Sequence, residues 1–258
     1  MTPTLEETTT MSTRRLIGAY LTEAKFESLR MLRSPAFGLP FLGLPVLLYL
    51  LFGVFLFGDV LMKDKNGALF IFIGFTVFGV MGPGMFGFGV TIATERENGL
   101  FALKRALPMP PAASLLAKLA MSMVFVAIIM ATMIAAEPLG HLKLTAGQLI
   151  SMAAVCVLGA APFGAMGLFI GTWASAKAAP ALVNLLYLPM IYLSNFLIPL
   201  PKSVLWIADF SPASHLHLLV LRSIGAPNTG DLRIHIAVLA GLTLVLTWLA
   251  VRRLARVG

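Results

Sequence analysis

Charge is scarce in this chain of 258 residues: Asp, Glu, Lys and Arg make up 12% of it, against 59% hydrophobic residues and a mean hydropathy of +0.92. An ordinary water-soluble domain is excluded by that balance, and most of the chain must have lipid as its solvent. Cysteine is nearly absent. The single Cys156 has no second thiol in the chain to pair with, which excludes a disulfide framework or a cysteine metal site, and it reads as a small apolar residue within a span.

Chemistry that would turn over a substrate is also missing. The chain has no phosphate-cradling Gly-x-x-x-x-Gly-Lys-Ser/Thr, no Gly-x-Ser-x-Gly elbow and no His-Glu-x-x-His pair. His215 and His217 stand two residues apart and point away from each other on a helix, so with His235, Asp209 and Asp231 they read as packing or interfacial groups rather than metal ligands. No ionisable side chain lies at the centre of an apolar stretch, which argues against transport driven by a bound proton or sodium ion. Any driving energy must then enter from a separate polypeptide.

What is present is a series of charge-free intervals, 34–58, 66–94, 119–136, 144–176, 178–201 and 236–251. Each can hold a membrane helix, because roughly 20 apolar residues cross the hydrocarbon core. The expected fold is all-α and integral to the membrane: one transmembrane domain over 1–258, with spans at about 36–58, 67–93, 119–136, 148–175, 179–200 and 233–251. Thirteen of the 19 Lys and Arg residues fall in the N-terminal stretch, the 94–118 segment, the turn at Lys177 and the C-terminal end. Positive residues collect on the cytoplasmic side, so a multi-pass protein of the cell (inner or plasma) membrane with both termini cytoplasmic is expected. The net charge of +8 is explained by this topology, and without a basic soluble face no nucleic-acid partner is expected. A cleaved secretory signal is not expected either, since the polar N-terminal stretch has no short apolar core before a small-residue cleavage site.

Before the first span, Leu16, Ile17, Tyr20, Leu21, Ala24 and Met31 recur at helical spacing. They predict an amphipathic interface helix over 14–33, lying in the lipid headgroup region. Between spans five and six, Ser211 and Pro212 supply a cap and first position for a helix ending near Gly225, too short to span. The 202–225 stretch is therefore expected to form short re-entrant helices in the outer leaflet, with Trp206 at the interface. In span four, Ala160 with Gly164, Ala161 with Ala165, and Gly167 with Gly171 permit close helix approach. Span two, with Gly74, Gly79, Gly82, Pro83, Gly84, Gly87 and Gly89, is expected to bend or move.

The most distinctive segment is 94–111, where Glu95, Arg96, Glu97, Asn98, Gly99, Lys104 and Arg105 stand between two apolar stretches. It is expected to lie in water or against a partner. Glu95-Arg96-Glu97-Asn98-Gly99, followed by Leu103, Ala106 and Pro108, resembles the Glu-Arg-Glu-x-Gly-Thr-Leu-Glu-x-Leu-x-x-x-Pro pattern of the type-two exporter permeases of ABC transporters. Leu193-Ser194, Pro199, Ser211-Pro212 and Leu221-Arg222 resemble that family's second signature. Leu100 and Ala102 depart from the pattern, standing where the family usually has Thr and Glu.

The resemblance implies a permease subunit that pairs with a copy of itself and with cytoplasmic ATP-binding cassette subunits. It implies no cofactor in this chain, with ATP and Mg on the partner, and it makes 94–111 a cytoplasmic coupling helix. Glu95, Arg96, Glu97, Gly99, Lys104 and Arg105 would sit at the ATPase contact. Substrate would pass the polar groups of span five, for which Asn184, Tyr187, Tyr192 and Asn195 are the candidates. Scarce charge along that path favours a hydrophobic or amphipathic cargo. A polysaccharide or glycolipid exporter of the same family, and a membrane scaffold or enzyme subunit that transports nothing, are the alternatives.

Overall fold

The computed structural model describes residues 13–61, 63–101, 103, 111–195 and 200–257, and among them it holds helices and turns with no strand. The helices are α1 (Thr13–Leu32), α2 (Pro35–Leu48, continued by a π-helical stretch Tyr49–Leu56), the single turn α3 (Gly58–Leu61), α4 (Lys65–Glu97), α5 (Pro111–Ala136), α6 (Ala146–Leu158), α7 (Ala160–Trp173), α8 (Ala179–Leu193), α9 (Pro212–Ser223) and α10 (Leu232–Val257). Two 3₁₀ segments, Glu137–Gly140 and Lys202–Phe210, stand between them. Local sequence sets several boundaries. Asp64 caps α4 by accepting from Asn66 N at 3.1 Å, and Thr145 and Gln148 form a reciprocal capping box at the start of α6.

Among the described residues five helical stretches are long and apolar enough to cross a bilayer: Phe37–Leu56, Lys65–Glu97, Ser114–Gly140, Ala146–Trp173 and Leu232–Leu254. The sequence-based outline of six spans is corrected in two places. Span three begins before Lys118, because two carboxylates neutralise that lysine inside the bundle. Span five, expected over 179–200, is the 15-residue α8. It stops before Asn195, which has a positive φ of 54° and accepts from Leu200 N at 2.8 Å; residues 196–199, with Pro199, lie outside the described residues. Segment Lys202–Phe210 then meets α9 at 96°, and counting that bent pair as a span brings the number to six. Ser211 holds the position before α9 but makes no capping bond; its hydroxyl pairs with that of Ser194 instead.

Helix α4 is the axis of the bundle. Within its most apolar window 72% of residues are buried, against 17% in the first and last spans, which leaves those two at the periphery. α4 runs as one helix of 33 residues through Pro83, and its glycines serve contact. A Cβ on Gly84 would lie 2.7 Å from Gly164 N, one on Gly167 would lie 2.6 Å from Gly84 O, and one on Gly171 would lie 2.7 Å from Gly89 O. Backbone therefore meets backbone along α4 and α7, and the small-residue spacing read in span four finds its partner in span two. Gly159, between α6 and α7, is needed for a similar reason, since a Cβ there would meet Leu216 at 2.4 Å.

Helix α1 turns inward only part of its apolar side, the part with Leu16, Tyr20, Ala24 and Met31, and with it a charge. Glu27, Ser28 and Met31 are buried, and α1 packs on α5, while Ile17 and Leu21 are exposed. A charged residue has taken the interior because a charged partner waits there.

The α4–α7 contact gives a direct test. Gly167→Val should overpack a site bounded by main chain that cannot yield, lowering stability by about 2 kcal/mol or more. Gly241→Ala, where a Cβ meets nothing within 4 Å, should leave the melting temperature of the purified chain unchanged or raise it.

Candidate functional site

Four ionic side chains from three helices meet below the last turn of α4. Glu95 is 2% exposed and Lys118 of α5 is fully buried. Lys118 Nζ donates to Glu95 Oε1 at 2.8 Å and to Glu27 Oε1 of α1. Arg30 Nη2 donates to the same two oxygens, at 2.9 Å to Glu27 and 3.1 Å to Glu95. Among the described residues two cations face two carboxylates, and such pairing is the condition under which charge can remain inside an apolar bundle. Arg30 alone of the four keeps contact with water, its side chain being 48% exposed.

One residue further along, Arg96 points to another neighbour. Its Nη2 donates to Ala174 O at 2.6 Å and its Nη1 donates to Thr172 O. Arg253 of α10 donates from Nε to that same Thr172 oxygen at 3.0 Å and lays its guanidinium over the Trp173 ring, 3.5 Å from the centroid. The C-terminal carbonyls of α7 carry the negative end of its dipole and have no intrahelical donors, so two arginines fill that need. The end of the bundle is thus tied by ions on one side of α4 and by arginine–carbonyl bonds on the other.

Beyond Arg96 the chain turns outward. Glu97 and Gly99 are exposed, and Gly99 adopts a φ of 67°, the left-handed conformation that ends helices most easily at glycine. The six residues expected at a partner contact therefore divide. Glu95 turns into the bundle because Lys118 and Arg30 are there to receive it, and Arg96 is half-buried on α7. Glu97 and Gly99 form an open turn, while Lys104 and Arg105, like Ala102, Ala106 and Pro108, lie outside the described residues.

The candidate path residues do not form one face. Tyr187 is buried, donates its hydroxyl to Phe78 O of α4 at 3.2 Å and packs edge-on against Phe86. Asn184 and Tyr192 are exposed on α8, and Asn195 lies past its end in the turn already described. His217 packs perpendicular to the ring of Phe70, 5.4 Å between centroids. Among the described residues no group of three or more His, Cys, Asp or Glu side chains is placed to hold a metal.

Sequence reading missed Glu27, Arg30 and Lys118 as members of one site. The available signal was Lys118 itself, a single charge within the apolar run of α5, for which a carboxylate partner had to exist. Replacing Lys118 with Met should leave excess buried negative charge and cost about 3 to 5 kcal/mol. Adding Glu27→Gln to Lys118→Met should return part of that loss, leaving Glu95 with Arg30; a double-mutant cycle on thermal melting of the purified chain measures the coupling.

The family described as ABC-2 type transporter matches residues 19–221, a stretch that runs from α1 to α9 and contains the whole ion cluster. No curated protein matches the chain. Domains of this family are transport permeases and not catalysts, their ATPase activity sitting in an ATP-binding cassette partner subunit. With its several apolar helices this is a multi-pass membrane protein. Since the match takes in most of the sequence, the chain belongs to the ABC-2 type transporter family, as a permease of an ABC transporter.

Proposed function

We propose that this chain forms the membrane path of an ATP-driven exporter for a hydrophobic or amphipathic substrate, working as a homodimer with two ATP-binding cassette subunits that hold ATP and Mg. The observation that carries the reading is the connection between an exposed charged turn and the bundle axis. Glu97 and Gly99 are open to a partner. Two residues away, Glu95 is fixed by Lys118 and Arg30, so a push on the turn is delivered to α4 with little slack.

In this reading α1 is the interface helix, its exposed Ile17 and Leu21 resting in lipid beside the partner. Both termini and the 94–111 coupling segment face the cytoplasm of the inner or plasma membrane, where Arg30, Arg96, Lys118 and Arg253 gather near one end of the bundle. The ATPase contact consists of Glu97 and Gly99 together with Lys104 and Arg105, and Glu95 and Arg96 act behind it as the tie into the bundle. Asn184 and Tyr192 offer polar groups on an otherwise apolar exposed face of α8, to be shared with a second copy across the substrate path. That apolar surround supports a hydrophobic or amphipathic cargo, and outward movement from the cytoplasm is what the resemblance to exporter permeases implies.

The test is co-purification of the chain under mild detergent, followed by ATP hydrolysis and vesicle export assays. An ATP-binding protein should accompany the permease. Glu97→Lys should reduce substrate-stimulated ATP hydrolysis about tenfold, equivalent to about 1.4 kcal/mol at the contact, with the melting temperature of the permease unchanged. An ATPase that is absent, or hydrolysis and export indifferent to the sign of charge at position 97, would defeat this reading.

A further inference from the structure

Far along α10 from Arg253, roughly 27 Å at 1.5 Å per residue, two buried histidines meet. His215 of α9 and His235 of α10 are each 5% exposed, with their Nδ1 atoms 2.7 Å apart. Each ring directs its other nitrogen at a main-chain carbonyl. His215 Nε2 lies 2.9 Å from Asp209 O, and His235 Nε2 lies 2.7 Å from Thr229 O.

The hydrogen count follows from these four atoms. A carbonyl oxygen only accepts, so both Nε2 atoms must carry a hydrogen. Two neutral imidazoles would then face each other with Nδ1 lone pairs at hydrogen-bond distance, which is repulsive. The contact becomes a bond when one Nδ1 carries a further hydrogen. Three N–H groups on two imidazoles amount to one positive charge. We propose that the His215–His235 pair is a proton-binding site, holding one proton between its Nδ1 atoms and thereby fastening the short helix α9 to the first turn of the last span.

The surroundings fit a single proton. The Thr229–Gly230 turn is built against the ring: Gly230 has a φ of 72°, and a Cβ there would lie 3.1 Å from His235 Nε2. Arg222 Nη1 holds that turn by donating to Gly230 O at 3.1 Å. Of the charged groups on the elements around the pair, Asp209 of the 3₁₀ segment lies against His215, while Arg222 of α9 and Asp231 and Arg233 at the start of α10 are exposed, and His217 packs on Phe70. Helix α6 carries no charged or histidine side chain, and α4 carries only Lys65 at this end. A second proton would set two positive rings face to face with their Nδ1 atoms 2.7 Å apart, and their repulsion resists it.

The pair also completes the attachment of α9. The C-terminal end of that helix is held to α6 by neutral bonds, from Gln148 Nε2 to Ile224 O at 2.7 Å and from Ser151 Oγ to Ser223 O at 2.8 Å. Its first turns are held by the Ser194–Ser211 hydroxyl pair, by buried Ala213 and Leu216, and by the histidines. A neutral pair must give up one of its three bonds, and a doubly charged pair loses the central one and gains repulsion. Loss of the shared proton as pH rises breaks the central bond, and a second proton taken up as pH falls sets two charged rings against each other. Stability should therefore be greatest between the two titrations.

The site lies apart from the turn at Glu97 and Gly99 and stands independently of the exporter reading. The full chain, labelled with ¹⁵N-histidine and placed in lipid nanodiscs, should show three protonated ring nitrogens on His215 and His235 at about neutral pH. Four histidines in the chain make the assignment tractable. Melting temperature followed from about pH 5 to about pH 9 should pass through a maximum, and His235→Gln should remove a pH-dependent part of about 3 °C. Two neutral rings with bare Nδ1 atoms across that range, or superimposable pH curves for wild type and variant, would overturn the proposal. If the variant does not fold, the wild-type spectrum decides alone.

Discussion

Lys118 can remain charged where no water reaches it only while two carboxylates from other helices stay beside its ammonium. Much of that end of the molecule follows. Helix α1 must lie on α5 with Glu27 turned inward. Helix α4 must continue past its apolar stretch to bring Glu95 into range. Arg30 must fold back over both acids so that their charge is matched. Once these are set, Arg96 is carried to the other side of α4, where the carbonyl end of α7 lacks donors and Arg253 joins it.

The two ends of the bundle are secured by different chemistry. At one end full charges face one another or meet helix carbonyls. At the other, apart from the His215–His235 pair, hydrogen bonds between uncharged groups hold the helices: Ser194 with Ser211, Gln148 with Ile224, Ser151 with Ser223. A salt-dependent attraction and a set of neutral hydrogen bonds respond differently to their surroundings. The end richest in Lys and Arg is also the end where the family pattern lies, which is why topology and resemblance point to the same segment.

Helix positions were largely legible because charge-free intervals are a strong signal in lipid. Their limits were less so. Lys118 misled, since an isolated lysine marks the end of a span unless carboxylates elsewhere in the chain neutralise it, and Glu27 is 91 residues away. The glycines of α4 stood out in the sequence but their contact with α7 did not, because the sequence of one helix does not disclose the neighbour pressed against it. Glu95 carried the right motif and faced the other way from the one expected. The meeting of His215 with His235 could not be read from spacing, because it depends on the turn between α9 and α10.

Backbone pressed on backbone has no rotamers to exchange. Where Gly84 meets Gly164 and Gly167, and Gly89 meets Gly171, neither helix can adjust by swinging a side chain, so the two slide or separate only as whole bodies. The α4–α7 pair therefore moves as one body, so that a push on α4 is carried into α7, while the sparsely buried first and last spans and the short α8 are the parts free to rearrange around it.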